Sequence, residues 1–182
     1  MIFHRHGPKY NFNSRRPNMV TMSFDSPLGP VMIAGDDSGL AGLWLEGQKY
    51  FADTLPQGAV AGTARALERT RSWLEEYFAG KRPDWLPPLA PAGTQFRQEI
   101  WKLLLEIPYG KTTTYGGLCA AYTERTGKKT SARAVGGAVG HNPISIIIPC
   151  HRVIGSDGSL TGYAGGVDKK AFLLRHEGIL TA

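Results

Sequence analysis

A proline-rich segment in the middle of the chain, residues 81–93, limits the folds that are open to this sequence of 182 residues. The breakers it contains are Pro83, Pro87, Pro88, Pro91 and Gly93. Proline has no backbone N–H and a fixed φ, so neither a helix nor a central strand continues through such a segment. We therefore predict a linker between two units, residues 19–80 and 94–182.

The unit before the linker has the pattern of a small α/β scaffold. Three β-type segments, residues 20–25, 31–35 and 40–45, are separated by turns rich in proline, glycine or aspartate, which predicts an antiparallel meander. Apolar positions between residues 63 and 78 then recur at helical spacing, and Gly80 provides a stop. No cluster of residues in this unit indicates catalysis.

The unit after the linker is predicted to be mostly helical. Thr94 can cap a helix with an apolar stripe that stops at Pro108. Two shorter helices follow, through residues 115–122 and over residues 131–140, and the polar turn 123–129 joins them. This arrangement is compatible with a helix-turn-helix, although the turn is longer than usual.

The second of these short helices has a bare surface. Gly136 and Gly137 each cost about 1 kcal/mol against alanine in a helix interior, and alanines flank the pair. Such a surface indicates that something approaches the helix backbone closely. The residues alone leave two partners open: another helix of the same unit, or the sugar–phosphate wall of DNA, with Arg133 projecting from the helix start.

Basic charge is concentrated after the linker and at the amino terminus. Residues 94–182 carry eleven basic and six acidic side chains, and residues 1–18 carry four basic side chains and no acidic one. The net charge of the whole chain is +6. This distribution suits a polyanionic partner such as nucleic acid, and a solvated basic face is the alternative. We predict that residues 1–18 form a flexible basic extension, either an arm that touches phosphates or a disordered leader.

Composition excludes several classes of protein. No apolar run approaches the roughly 20 residues that span a membrane, and no apolar secretory segment opens the chain. Two cysteines, Cys119 and Cys150, do not suffice for a disulfide framework or a cysteine-rich zinc site, and no histidine cluster compensates. We therefore expect no metal and a reducing compartment, the cytoplasm. Cys119 falls on the apolar side of a predicted helix, and we interpret it as a packing residue.

The residues around Cys150 are the strongest candidates for chemistry. The apolar run 144–148 predicts a buried strand that ends at Pro149, where a turn would bring His151 within reach of the thiol. A free thiol with a pKa of about 8.5 is only about 3% ionised at pH 7, so a nucleophilic cysteine needs a neighbouring base or cation. His151 and Arg152 are candidates for these roles. A packing cysteine is the alternative.

Two further features lie near the carboxyl terminus. The glycine-rich loop, residues 160–166, lacks the Lys-Ser/Thr ending of a phosphate-binding loop, so no nucleotide site is predicted there. Asp168 is predicted to cap the last helix and Gly178 to end it. Glu177 then falls at the negative end of that helix, where a carboxylate needs a nearby cation such as protonated His151.

Five motifs between Thr94 and Gly178, about half of the chain, together resemble the O6-alkylguanine-DNA alkyltransferases, also called methylated-DNA–protein-cysteine methyltransferases. They read RAVGGA at 133–138, NP at 142–143, PCHRV at 149–153, TGYAGG at 161–166 and LLRHEG at 173–178. The first unit matches only loosely, at 26–29 and 77–80. The resemblance implies an α/β, ribonuclease H-like first domain with a small antiparallel sheet and a helix, followed by a mostly α, winged helix-turn-helix domain.

The resemblance also implies roles for the matched positions. Cys150 would accept the alkyl group, with His151 as base through a water. Glu177 would orient that histidine, Asn142 would order the turn beside the cysteine, and Tyr115 would rotate the nucleotide and protonate the leaving guanine. The implied DNA-binding residues are Arg133, Tyr115, Ser131, Ala134 and Gly137. The implied pocket residues are Pro149, Val153, Tyr163 and Ala164.

The implied activity is direct DNA repair by a protein that acts once. The substrate would be double-stranded DNA that contains O6-alkylguanine, bound through the minor groove with the damaged base flipped out. Repair of O4-alkylthymine stays open. Water does not open a thioether, so Cys150 would be consumed. The resemblance implies no metal or organic cofactor, no membrane partner and a monomer.

Two other classes of function compete with this interpretation. One is a non-catalytic helix-turn-helix protein that binds DNA or senses lesions, with a structural Cys150; such a protein has no need of the Cys-His-Glu set. The other is a papain-like hydrolase, which lacks an oxyanion-hole signature here and leaves the basic helical unit unexplained.

Overall fold

A computed structural model describes residues 18–181, so the predicted extension lies almost wholly outside the described residues. The first unit contains a four-stranded sheet and one helix. Its elements are β1 (Val20–Ser26), β2 (Gly29–Asp36), β3 (Gly39–Leu45), β4 (Val60–Ala61) and α1 (Arg65–Phe78), with strand order β3-β2-β1-β4. The predicted meander and helix are present. The sheet is mixed, because β4 pairs parallel with β1. The two residues of β4, Val60 and Ala61, are both exposed, so the sequence has no alternation of apolar and polar residues there that would predict a strand.

The proline-rich segment contains no helix, but it is not a free linker. Leu89 pairs with Leu40 at the edge of β3, through bonds of 2.7 Å from Leu40 N to the Pro88 carbonyl and from Ala90 N to the Leu40 carbonyl. Leu89 is buried in a hydrophobic core that runs through both units. The segment therefore covers a sheet edge and joins the units tightly.

The second unit is mostly helical, as predicted. It contains α2 (Gln95–Leu105), β5 (Thr113–Thr114), α3 (Tyr115–Thr126), α4 (Ala132–Gly140), a 3₁₀ helix (Cys150–Arg152), β6 (Val153–Ile154) and α5 (Val167–His176). Strands β5 and β6 pair in parallel. Hydroxyl groups of Thr94, Thr114 and Ser131 cap α2, α3 and α4. Among the helices of the described residues, none is long and apolar enough to cross a membrane.

Helix α3 is longer than predicted. The polar residues from Thr123 to Thr126 are helical, and the Thr123 and Thr126 hydroxyls bond to carbonyls one turn earlier in the same helix, at 2.9 and 2.8 Å. The helix ends at Gly127, whose φ of +69° suits glycine. The turn between α3 and α4, residues 127–131, is therefore shorter than the sequence indicated.

The predicted strand over residues 144–148 is wrong. Ile144 makes one bridge to Leu43, and the chain then runs through turns, with Ile146 at a φ of +69°. The Asn142 amide bonds to the carbonyls of Ile144 and Ile148, at 3.2 and 2.8 Å, and so takes the place of a neighbouring strand. The apolar run is buried, but as an irregular segment.

The predicted cap of the last helix is also wrong. Gly166 occupies the N-cap position of α5 without a side-chain bond, and Asp168 lies inside the first turn. The predicted stop is correct, because Glu177 is the C-cap and Gly178 follows at a φ of +73°. Asp168 needs no capping role there, since a carboxylate anywhere in a first helical turn interacts favourably with the helix dipole.

Candidate active site

Asn142 links the end of α4 to Cys150. Its Nδ2 lies 3.1 Å from Cys150 Sγ, and its Oδ1 accepts from Ile144 N at 3.0 Å. The backbone bond identifies Oδ1 as the oxygen, so Nδ2 donates to the sulfur. Both side chains are buried, with Cys150 5% exposed. The amide is thus placed to stabilise negative charge on the sulfur.

The thiol itself is protonated in the resting protein. Burial raises the pKa of Cys150 and outweighs the lowering by Asn142 and by the Lys170 ammonium. Arg152, expected as a candidate cation for this thiol, instead binds Glu177 and the Ile107 carbonyl. A base must therefore take the thiol proton when the sulfur reacts.

His151 is suited to act as that base. It is completely buried, and its Nε2 lies 2.7 Å from Glu177 Oε1. Burial lowers the pKa of His151 despite the carboxylate, so the ring is neutral and Nε2–H donates to Glu177. Within residues 18–181 its Nδ1 has no hydrogen-bond partner. The lone pair on Nδ1 is therefore free to accept a proton.

Glu177 is held ionised by several donors. Arg152 Nε and Nη2 donate to its two oxygens at 2.8 and 3.0 Å, and the Tyr77 hydroxyl donates at 2.9 Å. Burial opposes ionisation, but the bonds from His151 and Arg152 prevail and lower the pKa of Glu177 to about 2. The cation beside this carboxylate is Arg152 rather than the expected protonated His151. An arginine guanidinium stays protonated even when buried, whereas burial favours the neutral form of the His151 imidazole, so Arg152 carries the positive charge beside Glu177.

Two tyrosines lie close to Cys150. Tyr115 begins α3, and its hydroxyl donates to the Thr161 carbonyl at 3.3 Å. Tyr163 is buried in the glycine-rich loop. Burial raises the pKa of both hydroxyl groups, and a negative charge on Cys150 would raise it further. Both residues therefore stay protonated and can donate hydrogen bonds.

Lys170 was not identified from the sequence. It is completely buried, and its Nζ donates to the carbonyls of Val153 at 2.5 Å and Thr161 at 3.3 Å. Burial lowers the pKa of Lys170 to about 8. The helical pattern of the sequence could have indicated its burial, since Lys170 lies three residues before the buried Leu173 and therefore on the same face of the helix. Tyr77 was also missed, because it lies 100 residues from Glu177 in the sequence.

Of the remaining pocket candidates, Pro149 and Val153 flank the segment of the cysteine, and Ala164 lies in the glycine-rich loop. Pro149 and Val153 are buried on either side of the 3₁₀ helix, and Val153 N bonds to the Cys150 carbonyl. Ala164 is half-buried, and its carbonyl accepts from Lys49 N at 3.0 Å. The structure thus brings the segments before and after the cysteine together with the glycine-rich loop.

Helix α4 exposes one face of small residues. Its opposite side packs inside the unit, where Trp101 Nε1 donates to the Ala138 carbonyl at 2.9 Å. Gly136 faces the Tyr115 ring, whereas a Cβ at Gly137 would meet nothing within 4 Å among the described residues. The exposed residues at the helix start and on this face are Ser131, Ala132, Arg133, Ala134 and Gly137. A partner outside the described chain can therefore approach this backbone.

The fold and the site define a two-unit protein in which a buried cysteine lies beside a helix-turn-helix, and the histidine that follows the cysteine is hydrogen-bonded to a buried glutamate. Two family models match most of the chain. The first, "6-O-methylguanine DNA methyltransferase, ribonuclease-like domain", covers residues 19–91, and the second, the DNA binding domain of the same proteins, covers residues 95–179. The chain belongs to the 6-O-methylguanine DNA methyltransferase family.

Individual relatives match over most of their length. A methylated-DNA–protein-cysteine methyltransferase of Methanosarcina acetivorans is 46% identical over 156 residues, which span 85% of this chain and 96% of the relative. Its namesake from Mycobacterium bovis is 43% identical over 159 residues, covering 85% and 90%. The crystal structure of Mycobacterium tuberculosis OGT in complex with DNA has a TM-score of 0.73 at 40% identity, over 91% of this chain and 96% of that one.

Proposed function

We propose that this protein repairs DNA by moving an alkyl group from O6 of guanine onto its own Cys150. The observation that carries the proposal is the contact of 3.1 Å between Asn142 Nδ2 and Cys150 Sγ, beside a neutral His151 with a free Nδ1. A DNA-binding protein that does not catalyse transfer has no need of a buried thiol with a donor and a base. Membership of the methyltransferase family gives independent support.

The reaction follows from the protonation states of the site. His151 Nδ1 takes the thiol proton through a water, and Glu177 stabilises the imidazolium that forms. The Asn142 amide stabilises the sulfur anion as it attacks the alkyl carbon. The S–C bond forms while the C–O6 bond breaks, and the electron pair moves onto guanine. Tyr115, which retains its hydroxyl proton, then supplies the proton that the guanine takes up.

The DNA would bind along the exposed face of α4. Small side chains let the helix approach the sugar–phosphate walls of the minor groove, where sequence is read poorly. Such binding suits a protein that must find a lesion in any sequence. Extruding the damaged base costs a few kcal/mol, and we assign Arg133 to the gap left in the stack and Tyr115 to the rotation of the nucleotide. Pro149, Val153, Tyr163 and Ala164 would line the pocket for that base.

The site also predicts that each molecule reacts once. The product is a thioether, which has no carbonyl or other group that water can attack at neutral pH. Both thiols, Cys119 and Cys150, are free, which suits the cytoplasm, where thiols stay reduced. We also propose that the protein acts as a monomer, because all of the proposed catalytic side chains come from one chain.

The stoichiometry of the reaction tests this proposal. Incubation with duplex DNA that carries O6-methylguanine should add the mass of one CH₂ group to each protein molecule. Peptide mass spectrometry should locate it on the peptide with Cys150, and excess lesion should add no second group. An unmodified Cys150 in protein that still binds the DNA would contradict transfer and support a lesion-sensing protein.

The role of Arg133 has a separate test. We expect Arg133→Ala to slow repair in duplex DNA at least about 10-fold, because the extruded base then leaves an unfilled gap and extrusion becomes less favourable. Reaction with the free base O6-benzylguanine needs no extrusion and should keep its rate. Single-turnover rates on both substrates measure the effect.

Arg175→Ala is the matched control, since it removes the same charge from an exposed position on α5. It should leave both rates within about twofold, because nonspecific charge loss affects DNA affinity rather than the transfer step. If Arg133→Ala lowered the reaction rate equally on the duplex and on the free base, the assignment of Arg133 to the gap in the base stack would be refuted.

A further inference from the structure

Tyr77, on α1 of the first unit, is bonded at both ends to the carboxyl-terminal end of α5. Its hydroxyl donates to Glu177 Oε1 at 2.9 Å, and its carbonyl oxygen accepts from His176 Nε2 at 2.6 Å. These two partners are consecutive residues, the last of α5 and its C-cap. The first unit therefore contacts the carboxylate that faces His151.

Packing fixes the position of the Tyr77 ring. The residue is completely buried, its ring stacks on Trp73 at a centroid distance of 5.2 Å, and Tyr109 lies edge-on at 6.3 Å. Burial raises the pKa of the Tyr77 hydroxyl, and the charge of Glu177 raises it further. The hydroxyl therefore keeps its proton and donates it from a fixed position.

Glu177 Oε1 accepts from more donors than it has lone pairs. His151 Nε2, the Tyr77 hydroxyl and Arg152 Nη2 lie 2.7, 2.9 and 3.0 Å from it, whereas a carboxylate oxygen offers about two lone-pair sites. The donors therefore divide the negative charge of this oxygen. Because Arg152 binds both carboxylate oxygens, it holds the group in place without Tyr77. The hydroxyl of Tyr77 thus acts on the charge of the carboxylate more than on its orientation.

The charged groups that act on His151 belong to the 3₁₀ helix and to the end of the chain around α5. Burial has the largest effect on the pKa of His151 and lowers it, whereas Glu177 raises it. Arg152 and Lys170 lower it further. A donor that takes up part of the charge of Glu177 favours the neutral ring, which is the form that can act as a base.

We infer that Tyr77 is a positioning residue of the first unit, whose hydroxyl takes up part of the charge of Glu177 Oε1 and so keeps His151 neutral until the sulfur reacts. The inference rests on the proposed function of Cys150. It gives the first unit an indirect role in the transfer step. A base that is neutral at rest needs no deprotonation before it accepts the thiol proton.

The pH dependence of the transfer rate tests this inference. Tyr77→Phe removes the hydroxyl and keeps the ring, and reaction with free O6-benzylguanine avoids the pH dependence of DNA binding. The rate should fall in acid as His151 takes up a proton. In Tyr77→Phe the midpoint of that fall should move to higher pH by at least about half a unit, because Glu177 then acts more strongly on the ring. An unchanged midpoint, or one that moves to lower pH, would overturn the inference.

Nitrogen NMR of the histidine rings measures the same shift without the reaction. The His151 signal, assigned by its loss in His151→Gln, should titrate at a correspondingly higher pH in Tyr77→Phe. If that variant does not fold, as judged by circular dichroism, fluorotyrosine in place of Tyr77 provides a second test. Its more acidic phenol donates more strongly, so both midpoints should move to lower pH. Movement to higher pH, or none, would contradict the inference.

Tyr109→Phe is the control, since it removes a neighbouring hydroxyl that donates to the His176 carbonyl at 3.1 Å instead of to Glu177. It should leave both midpoints unchanged. A shift as large as that of Tyr77→Phe would show that any lost hydroxyl at this junction has the same effect, and the inference would be wrong.

These measurements also separate the two proposals. Unaltered protein that leaves Cys150 unmethylated would refute the proposed function. Active unaltered protein in which the titration of His151 does not respond to Tyr77→Phe would refute only the role of Tyr77.

Discussion

Cys150→Ser is expected to abolish methyl transfer while the protein still binds methylated duplex DNA. A serine hydroxyl stays protonated at neutral pH, and the imidazole of His151 cannot produce a useful fraction of alkoxide from it. The side chain is slightly smaller than cysteine and the site is buried, so the fold should persist. Mass spectrometry measures transfer, and a gel-shift titration with duplex that carries O6-methylguanine measures binding.

Cys119→Ser is the matched control for this prediction. Cys119 is half-buried and packs against the core from α3. Transfer in this variant should proceed at the rate of the unaltered protein. Methylation of Cys119 in the Cys150→Ser protein would contradict the assignment of a single acceptor.

Arg152→Met should destabilise the protein by about 3–5 kcal/mol, the range for breaking a buried ion pair by removing one partner. The variant leaves the fully buried Glu177 carboxylate without its guanidinium and also removes the donor to the Ile107 carbonyl at 2.6 Å. Such a loss is a large part of the stability of an ordinary domain. Urea unfolding at neutral pH measures it.

An exposed ion pair provides the control. Arg125 Nη2 lies 2.7 Å from both oxygens of Glu106, but the two side chains are 35% and 59% exposed. Arg125→Met should therefore cost no more than about 1 kcal/mol. Equal costs for the two arginine variants would show that the burial of Glu177 does not govern the stability of the site.

The same carboxylate predicts how stability depends on pH. The pKa of Glu177 falls from 4.5 to about 2 on folding, so its contribution is complete above about pH 4.5 and is lost as the pH drops toward 2. The lowered pKa of His151 acts in the same direction below about pH 6.5, because the unfolded chain binds the proton first. In Arg152→Met the folded-state pKa of Glu177 should lie nearer to its unfolded value, so the loss of stability in acid that is due to Glu177 should be smaller.

Local patterns were sufficient for most of the secondary structure. The three strands of the meander, the cap Thr94 and the stop at Gly178 depend on residues near one another in the chain, and the structure contains them all. The failures have a common origin. Residues 144–148 resemble a strand by composition, but Asn142 satisfies their carbonyls, and a side chain outside the run is invisible to its periodicity.

The candidate site likewise has some features that follow from local sequence and others that depend on distant segments. The sequence was sufficient to propose Cys150 as the acceptor with His151 and Glu177 beside it, because PCHRV and the end of the last helix carry those residues as local motifs. Only the tertiary structure decided that Arg152 neutralises Glu177, that Tyr77 reaches the same carboxylate, and that Gln48 binds Ser145 across 97 residues. The physical reason is that burial sets charge states and donor directions, and burial depends on segments that meet only in the folded chain.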